Sequence, residues 1–454
     1  MSGHDDVLHL TPWEVRHPLA ARLRVPGDKS LTHRAILFSA LTRGHSRVEG
    51  WLDAADTRAS LRLVQALGVE ADEATEGGCR ILRLTAPGPD RLQEPDQVVD
   101  CANSGTTMRL GMGLAAGVRG LTVLTGDASL RRRPMGRVLR PLAALGARVC
   151  ARGGEWAPVA VEGGRLAGGR WTLEVASAQV KSALILAGLQ SRDGVEIREP
   201  EPTRDHSERL LRMLGAQVQG PDNGVIRVAP LTAPLAPFDL RVPGDPSSAA
   251  FWAALAALVP GWAVTVEGVL LNPTRTGFFR VLARMGARVE LEVEAEQPEP
   301  VGRITVEGRP LQGVEVAGQD IPSLIDEAPL IALVASRAAG RTRIRGAEEL
   351  RVKESDRIAA TAGLLRTLGV AVEERPDGLV VEGPSGLHGG TVDSHGDHRL
   401  AMLAALAAAV ARGPVTVRGA RAVSVSYPSF FRDYRVLAAA VTGNRYEGGP
   451  EGSP

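Results

Sequence analysis

The chain has 454 residues, enough for two or three domains with full cores. Its Lys+Arg 53 and Asp+Glu 52 leave a net charge of +1, which excludes a global basic field for nucleic acid, so any anion site must be local. With 44% hydrophobic and 23% charged residues, the composition is that of an ordinary globular protein.

Three cysteines, Cys79, Cys101 and Cys150, form no CxxC pair, and that sparse usage suits a reducing cytoplasm. Residues 1–10 lack the basic-then-apolar pattern of an export signal. The longest apolar runs, 249–259 and 400–411, are too short to span a bilayer and are read as buried helices. Only three lysines occur, Lys29, Lys181 and Lys353. A compact ammonium and a planar guanidinium are not interchangeable, so each retained lysine is informative.

In chain order, the first signal is Leu23-Arg24-Val25-Pro26-Gly27-Asp28-Lys29-Ser30, with Arg34 one turn on. It returns as Leu240-Arg241-Val242-Pro243-Gly244-Asp245-Pro246-Ser247. Both copies lead from a strand-like segment through a Pro-Gly turn into an apolar helical run, 35–41 and 249–258. Two related halves follow, but Lys29 becomes Pro246, so the scaffold repeats and the chemistry does not. The echoed turns place a continuous domain at 25–242 and a discontinuous one at 1–24 plus 243–454.

A second repeat lies in the helix ends. Gly68, Gly146, Gly215, Gly286 and Gly369 each follow Leu or Met at the end of an amphipathic run and precede an alternating segment. Their spacing of about 75 residues implies about six units, each of a few strands and two helices. Strands are expected at 80–85, 225–229, 303–307 and 379–382, and surface loops at 86–95, 230–237 and 296–302. The tail 443–454 is expected to be disordered.

Several stretches can carry chemistry. Lys29 and Ser30 open a helix, where free N–H groups and the dipole favour an anion, with Arg34 facing the same way. Asn103-Ser104-Gly105-Thr106-Thr107-Met108-Arg109 opens another helix, where Gly105 permits close approach to the backbone. The run 125–137 holds Arg131, Arg132, Arg133 and Arg137. Residues 349–357, read as a helix, would set Lys353 and Arg357 one turn apart with Glu354 beside them. Asp393-Ser394-His395-Gly396-Asp397-His398-Arg399 suggests a helix cap and anion site rather than a metal site, because its cation would repel a metal. Asp326-Glu327 precedes the apolar run 328–335 and offers a carboxylate base or a helix-start charge.

With these motifs in view, and with Ser177-Ala178-Gln179 and Thr203-Arg204-Asp205-His206, the chain resembles the enolpyruvyl transferases over nearly its whole length. The resemblance is strongest to members that use shikimate 3-phosphate. It implies an α/β fold of two similar domains, each of three βαβαββ units around central helices, with the active site in the cleft between them. It also implies transfer of the enolpyruvyl group of phosphoenolpyruvate to the 5-hydroxyl of shikimate 3-phosphate, by addition and elimination, with release of phosphate. Lys29, Ser30, Arg34, Ser177, Ala178, Gln179, Arg204, Asp326 and Lys353 would contact shikimate 3-phosphate. Lys29, Gly105, Arg133, Gln179, Arg357 and Arg399 would contact phosphoenolpyruvate. Asp326, Glu354 and Lys29 would be catalytic. No metal or organic cofactor, nucleic acid or membrane is implied, and the expected state is a cytoplasmic monomer.

The chain departs from the family pattern at four places: Ala178, where some members have Ser; Glu349, where some have Asn; Val425, where some have Lys; and Leu110, where Pro often stands. Gly105 rather than Ala implies room for the inhibitor glyphosate. The sister enzyme acting on UDP-N-acetylglucosamine carries Lys-Asn in place of Lys29-Ser30 and usually a Cys in the loop that is 125–137 here, where none occurs. A non-catalytic protein of the same fold, binding a phosphorylated ligand or an RNA end, is disfavoured by Asp326, Glu354 and Lys29 together and by the near-neutral charge.

Overall fold

A strand, a buried helix, a second strand, an amphipathic helix and a hairpin recur along the chain. Residues 99–163 show the plan: strand Val99–Asp100, helix Gly105–Ala115, strand Gly120–Thr125, helix Gly136–Ala144, and the hairpin Arg148–Arg152 with Trp156–Gly163. The first two strands pair in parallel, as a helical crossover requires, and the last strand runs antiparallel between the second and third. The structure, a computed structural model, describes residues 6–443, so most of the expected disordered tail lies outside the described residues.

Among the described residues six sheets form, five of four strands and one of three. The chain divides into two compact units, one of residues 27–243 with 297–299, the other of the segments up to 26, 244–296 and from 300 onward. Each unit contains three of the sheets. The five helix-end glycines all have left-handed backbone, with φ from +86 to +111, and a strand follows each. The strands beside the echoed turns change partners. Ala20–Leu23 pairs in parallel with Ala263–Leu270, and Asp239–Arg241 pairs in parallel with Arg43–Glu49. Each strand thus stays with one unit while the helix that follows it belongs to the other.

Three nearly enclosed helices form the centre of the continuous unit: α1 (Lys29–Ser39), α3 (Gly105–Ala115) and α4 (Ala178–Leu189). Amphipathic helices α2 (Ala55–Ala66) and α5 (His206–Met213) cover them with one buried face. Helix α3 lies close to α4 because Gly113 has no side chain; a Cβ there would sit 2.2 Å from the Ala183 carbonyl oxygen. In the other unit α6 (Pro246–Ala257), α7 (Ala328–Ala335) and α9 (His398–Ala409) take the central places, with every residue of α6 and α7 buried. The amphipathic α8 (Arg357–Thr367) packs outside them.

Two expectations fail. Residues 349–357 are not one helix: a short 3-10 turn ends at Val352, Lys353 is extended (φ −81, ψ −151), and Asp356 caps a new helix by accepting the Ala359 N–H at 3.0 Å. Residues 296–302 are not a surface loop either. Glu299 is buried against His206 Nδ1 at 2.7 Å, and the strand Val301–Glu307 begins within the segment. A carboxylate with a buried partner does not read as buried from composition alone. The expected loop 86–95 is partly strand, since Cys79–Pro87 runs into it and Leu92 is buried.

Lys181 lies fully buried in α4, 3.2 Å from Glu199 and 2.8 Å from Glu208. Glu199 also accepts the Thr203 hydroxyl at 2.8 Å, so the lysine anchors the segment leading to Arg204. Lys181→Met would leave two uncompensated buried carboxylates, and a loss of about 3–5 kcal/mol is expected, measured as a lowered urea midpoint.

Candidate active site

Most candidate residues cluster at the starts of these buried helices, and Arg34 lies further inside α1. In the continuous unit, Asp28 caps α1 by accepting the Leu31 N–H at 2.7 Å. That cap sets Lys29 at the first helical position, its Nζ 2.5 Å from Asp56 at the start of α2. Asp56 carries no local sequence signal, because its partner is distant in the chain. Arg34 is buried in α1 and donates from Nε to Ser207 at 2.8 Å, from Nη2 to Ser182 at 3.0 Å, and from Nη1 to the Ser30 carbonyl at 3.1 Å. Burial pulls its pKa down to about 10, against the pull of Glu208, Asp28 and Glu299, so it stays charged at neutral pH.

Gly105 is the first residue of α3, after the Ser104 cap. A Cβ on Gly105 would stand 3.2 Å from Arg109 Nη1 and 3.4 Å from Arg133 Nη1, so two guanidinium tips border that backbone. Arg133 is buried and donates from Nη2 to Asn103 Oδ1 at 2.7 Å, and Asn103 in turn donates to Asp127 at 2.7 Å. Gln179, in the first turn of α4, accepts from Arg109 at 2.5 Å and donates to Thr106 at 2.9 Å. Ser177 caps the same helix, and Ala178 is its first residue. Arg204 sits half-buried just before α5.

In the other unit, Asp326 lies in a short turn before α7, 3.3 Å from both Lys353 Nζ and Arg357 Nη1. The expected one-turn pairing of these cations is absent, yet both reach the same carboxylate. Arg357 is 1% exposed at its side chain and also meets Glu354 at 2.7 Å and Asp397 at 2.7 Å. Burial opposes its charge, but Asp397, Glu354 and Asp326 outweigh that, and its pKa lies above the ordinary arginine value. Burial would raise the Asp397 pKa, but Arg357 and then His398 hold it below the usual carboxylate value. Asp397 caps α9 through the Arg399 N–H at 2.9 Å, in agreement with the helix-cap reading of 393–399. Arg399 pairs with Glu327 at 3.1 Å. Three cations, Lys353, Arg357 and Arg399, are thus interleaved with four carboxylates, Asp326, Glu327, Glu354 and Asp397. Carboxylates held among cations suit proton transfer beside a bound anion.

Of the departures, Leu110 is fully buried, while Glu349 and Val425 lie in short 3-10 turns. Among the described residues one cluster brings metal-ligand atoms within 4.8 Å, Asp205, His206 and Glu299. Arg209 Nε lies 2.7 Å from Asp205 and 3.8 Å from Glu299, so an arginine already occupies the cation's place there. No helix among the described residues is long and apolar enough to cross a membrane.

A model of the family EPSP synthase (3-phosphoshikimate 1-carboxyvinyltransferase) matches residues 14–434. The chain belongs to this family. It is 50% identical over 420 residues to the 3-phosphoshikimate 1-carboxyvinyltransferase of Synechococcus sp. (strain WH7803), covering 91% of this chain and 95% of the relative. It is 51% identical over 430 residues to that of Thermus thermophilus, covering 93% and 97%. The solved EPSP synthase of Acinetobacter baumannii is similar with a TM-score of 0.82 at 36% identity, covering 96% of this chain and 98% of that one. The enolpyruvyl transferase NikO of Streptomyces tendae shares the fold, with a TM-score of 0.74 at 19% identity and coverage of 95% and 97%.

A histidine one turn from Lys29 gives a pH prediction. His33 is buried with Nδ1 2.8 Å from Ser60, and burial, then Lys29 and Arg34, hold its pKa well below the ordinary value. The unfolded chain takes up that proton below about pH 6.5 and the folded chain does not, so stability falls as pH drops through that region, by up to about 1.4 kcal/mol per pH unit. In urea titrations between pH 7 and pH 5, His33→Gln is expected to lose less stability than the unsubstituted protein.

Proposed function

We propose that this chain catalyses the reaction for which its family is named, as a cytoplasmic monomer. The enolpyruvyl group of phosphoenolpyruvate passes to the 5-hydroxyl of shikimate 3-phosphate, giving 5-enolpyruvylshikimate 3-phosphate and phosphate. The observation that carries the site assignment is Asp326 and Glu354 gathered around Lys353 and Arg357 within one unit. A base and an acid there stand among cations that can take an anionic substrate.

In this reading Asp326 removes the 5-hydroxyl proton as that oxygen attacks C2 of phosphoenolpyruvate. Glu354, with Lys29, delivers a proton to the methylene carbon, giving a tetrahedral intermediate. Loss of that proton and expulsion of phosphate then restore the double bond, so atoms and charge balance over the two steps. Lys29, Ser30, Arg34, Ser177, Ala178, Gln179, Arg204, Asp326 and Lys353 hold shikimate 3-phosphate. Lys29, Gly105, Arg133, Gln179, Arg357 and Arg399 hold phosphoenolpyruvate. Planar guanidinium groups suit carboxylate and phosphate, and the arginine positions follow that chemistry. Arg357 meets three carboxylates, so an anionic substrate that reaches it competes with them for its donors.

Phosphate release is the direct test. Release from phosphoenolpyruvate only when shikimate 3-phosphate is added supports the reading; release only with UDP-N-acetylglucosamine, or with neither, overturns it. Asp326→Asn and Glu354→Gln are each expected to lower kcat about 10²–10⁴-fold, and Lys29→Ala to abolish nearly all turnover. Glyphosate is expected to inhibit with a constant below the millimolar range in that assay. Gly105→Ala, whose methyl would press on Arg109 and Arg133, is expected to weaken that inhibition in the same assay.

A further inference from the structure

The second copy of the echoed turn has no place in the reaction described above, yet its side chains are buried and engaged. Asp245 caps α6, accepting the Ser247 N–H at 2.7 Å. Arg275 is buried beside it and donates from Nη2 to Asp245 Oδ1 at 3.0 Å and to Ser247 Oγ at 3.2 Å. An arginine is always a donor, so the Ser247 hydroxyl accepts on that side and its single proton must point elsewhere. It points to Glu327: Ser247 Oγ donates to Glu327 Oε1 at 2.5 Å, and Glu327 is 2% exposed. The same Oε1 accepts from Arg399 Nη1 at 3.1 Å, and that nitrogen also donates to the Asp326 carbonyl at 3.3 Å.

Ser247 occupies the place that Ser30 has in the first copy. There the serine follows a lysine at a helix start; here Pro246 removes the cation, and the serine holds a carboxylate of the protein itself. Arg399 is anchored at one corner, Nη1. Its opposite edge, Nε with Nη2, is the side of a guanidinium that offers two parallel N–H donors to a carboxylate or phosphate.

We propose that Glu327 is a positioning residue for Arg399, and that Ser247 of the second echoed turn fixes the orientation of Glu327. This rests on the reading of Arg399 as a phosphoenolpyruvate contact. Glu327 and Asp326 then divide the work of two adjacent carboxylates: Asp326 faces Lys353 and Arg357, while Glu327 aims the third cation.

The test is steady-state kinetics on Arg399→Ala, Glu327→Gln, Ser247→Ala and the Glu327→Gln/Ser247→Ala double variant, with a urea midpoint for each. Arg399→Ala is expected to raise the phosphoenolpyruvate KM. Glu327→Gln keeps shape but loses charge, and is expected to raise that KM about tenfold, while the shikimate 3-phosphate KM stays within about twofold. Ser247→Ala, the milder change, is expected to raise it several-fold, and the double variant by less than the product of the two. If Arg399→Ala leaves the phosphoenolpyruvate KM unchanged, the underlying site reading fails and the proposal with it. A raised KM in Arg399→Ala with no change in Glu327→Gln and Ser247→Ala overturns the positioning role alone. Equal rises in both KM values, tracking a lowered urea midpoint, would reduce Glu327 to a structural residue and also overturn it.

Discussion

Burial of the central helices is the constraint on which the rest depends. Helices α6 and α7 are enclosed along their whole length, and α1, α3, α4 and α9 nearly so. A helix with no wet face presents polar groups most readily where it begins or ends, since one placed further in, such as Arg34 or Lys181, needs buried partners. Its beginning is also where unpaired N–H groups and the positive end of the dipole gather. Lys29 and Ser30 on α1, Gly105 on α3, Ser177 and Gln179 at α4, Asp326 and Glu327 at α7, and Arg399 on α9 all occupy such starts. The same packing that makes each core therefore concentrates the anion-handling chemistry at one kind of position.

The two units use this arrangement differently. In the continuous one, Arg34, Arg109 and Arg133 donate to hydroxyl, amide and carbonyl oxygens, which orient a guanidinium without cancelling its charge. In the other, cations and carboxylates alternate, and Arg357 alone meets three acids. The first pattern favours holding anions, the second moving protons near them. The echoed scaffold supplies the same helix starts twice, with different side chains placed on them.

Much of this was legible in the chain itself. The five Leu/Met-Gly ends named left-handed glycines correctly, because that conformation depends on the residue and its neighbours alone. The apolar run 328–335 coincides with α7 for a similar reason: a short segment without polar residues can only be core. What could not be read depends on distant partners. Asp56 beside Lys29, and Glu299 buried on His206, look like surface acids until the fold supplies their counterparts. The helix expected over 349–357 is absent because charge spacing alone does not make a helical period: Asp356 starts a new helix, and Lys353 reaches Asp326 from an extended backbone. Ser247 was visible as half of an echo, but its engagement with Glu327 was not, since the echo is informative about backbone and silent about partners.

The exchange of strands at the echoed turns also sets an order of events during synthesis. Ala20–Leu23 is made before its partner Ala263–Leu270, which follows about 240 residues later, a delay on the order of ten seconds or more at ribosomal rates. Val7–Leu10 waits longer still, for Val415–Arg418. Meanwhile the segment 27–243 contains nearly everything its own three sheets need, including Asp239–Arg241 to close the first of them. The continuous unit is therefore the natural first nucleus, made while Val7–Leu10 and Ala20–Leu23 still await their partners. Completion of the other unit waits until Val415–Arg418 has emerged to pair with Val7–Leu10 and Gly390–Asp393.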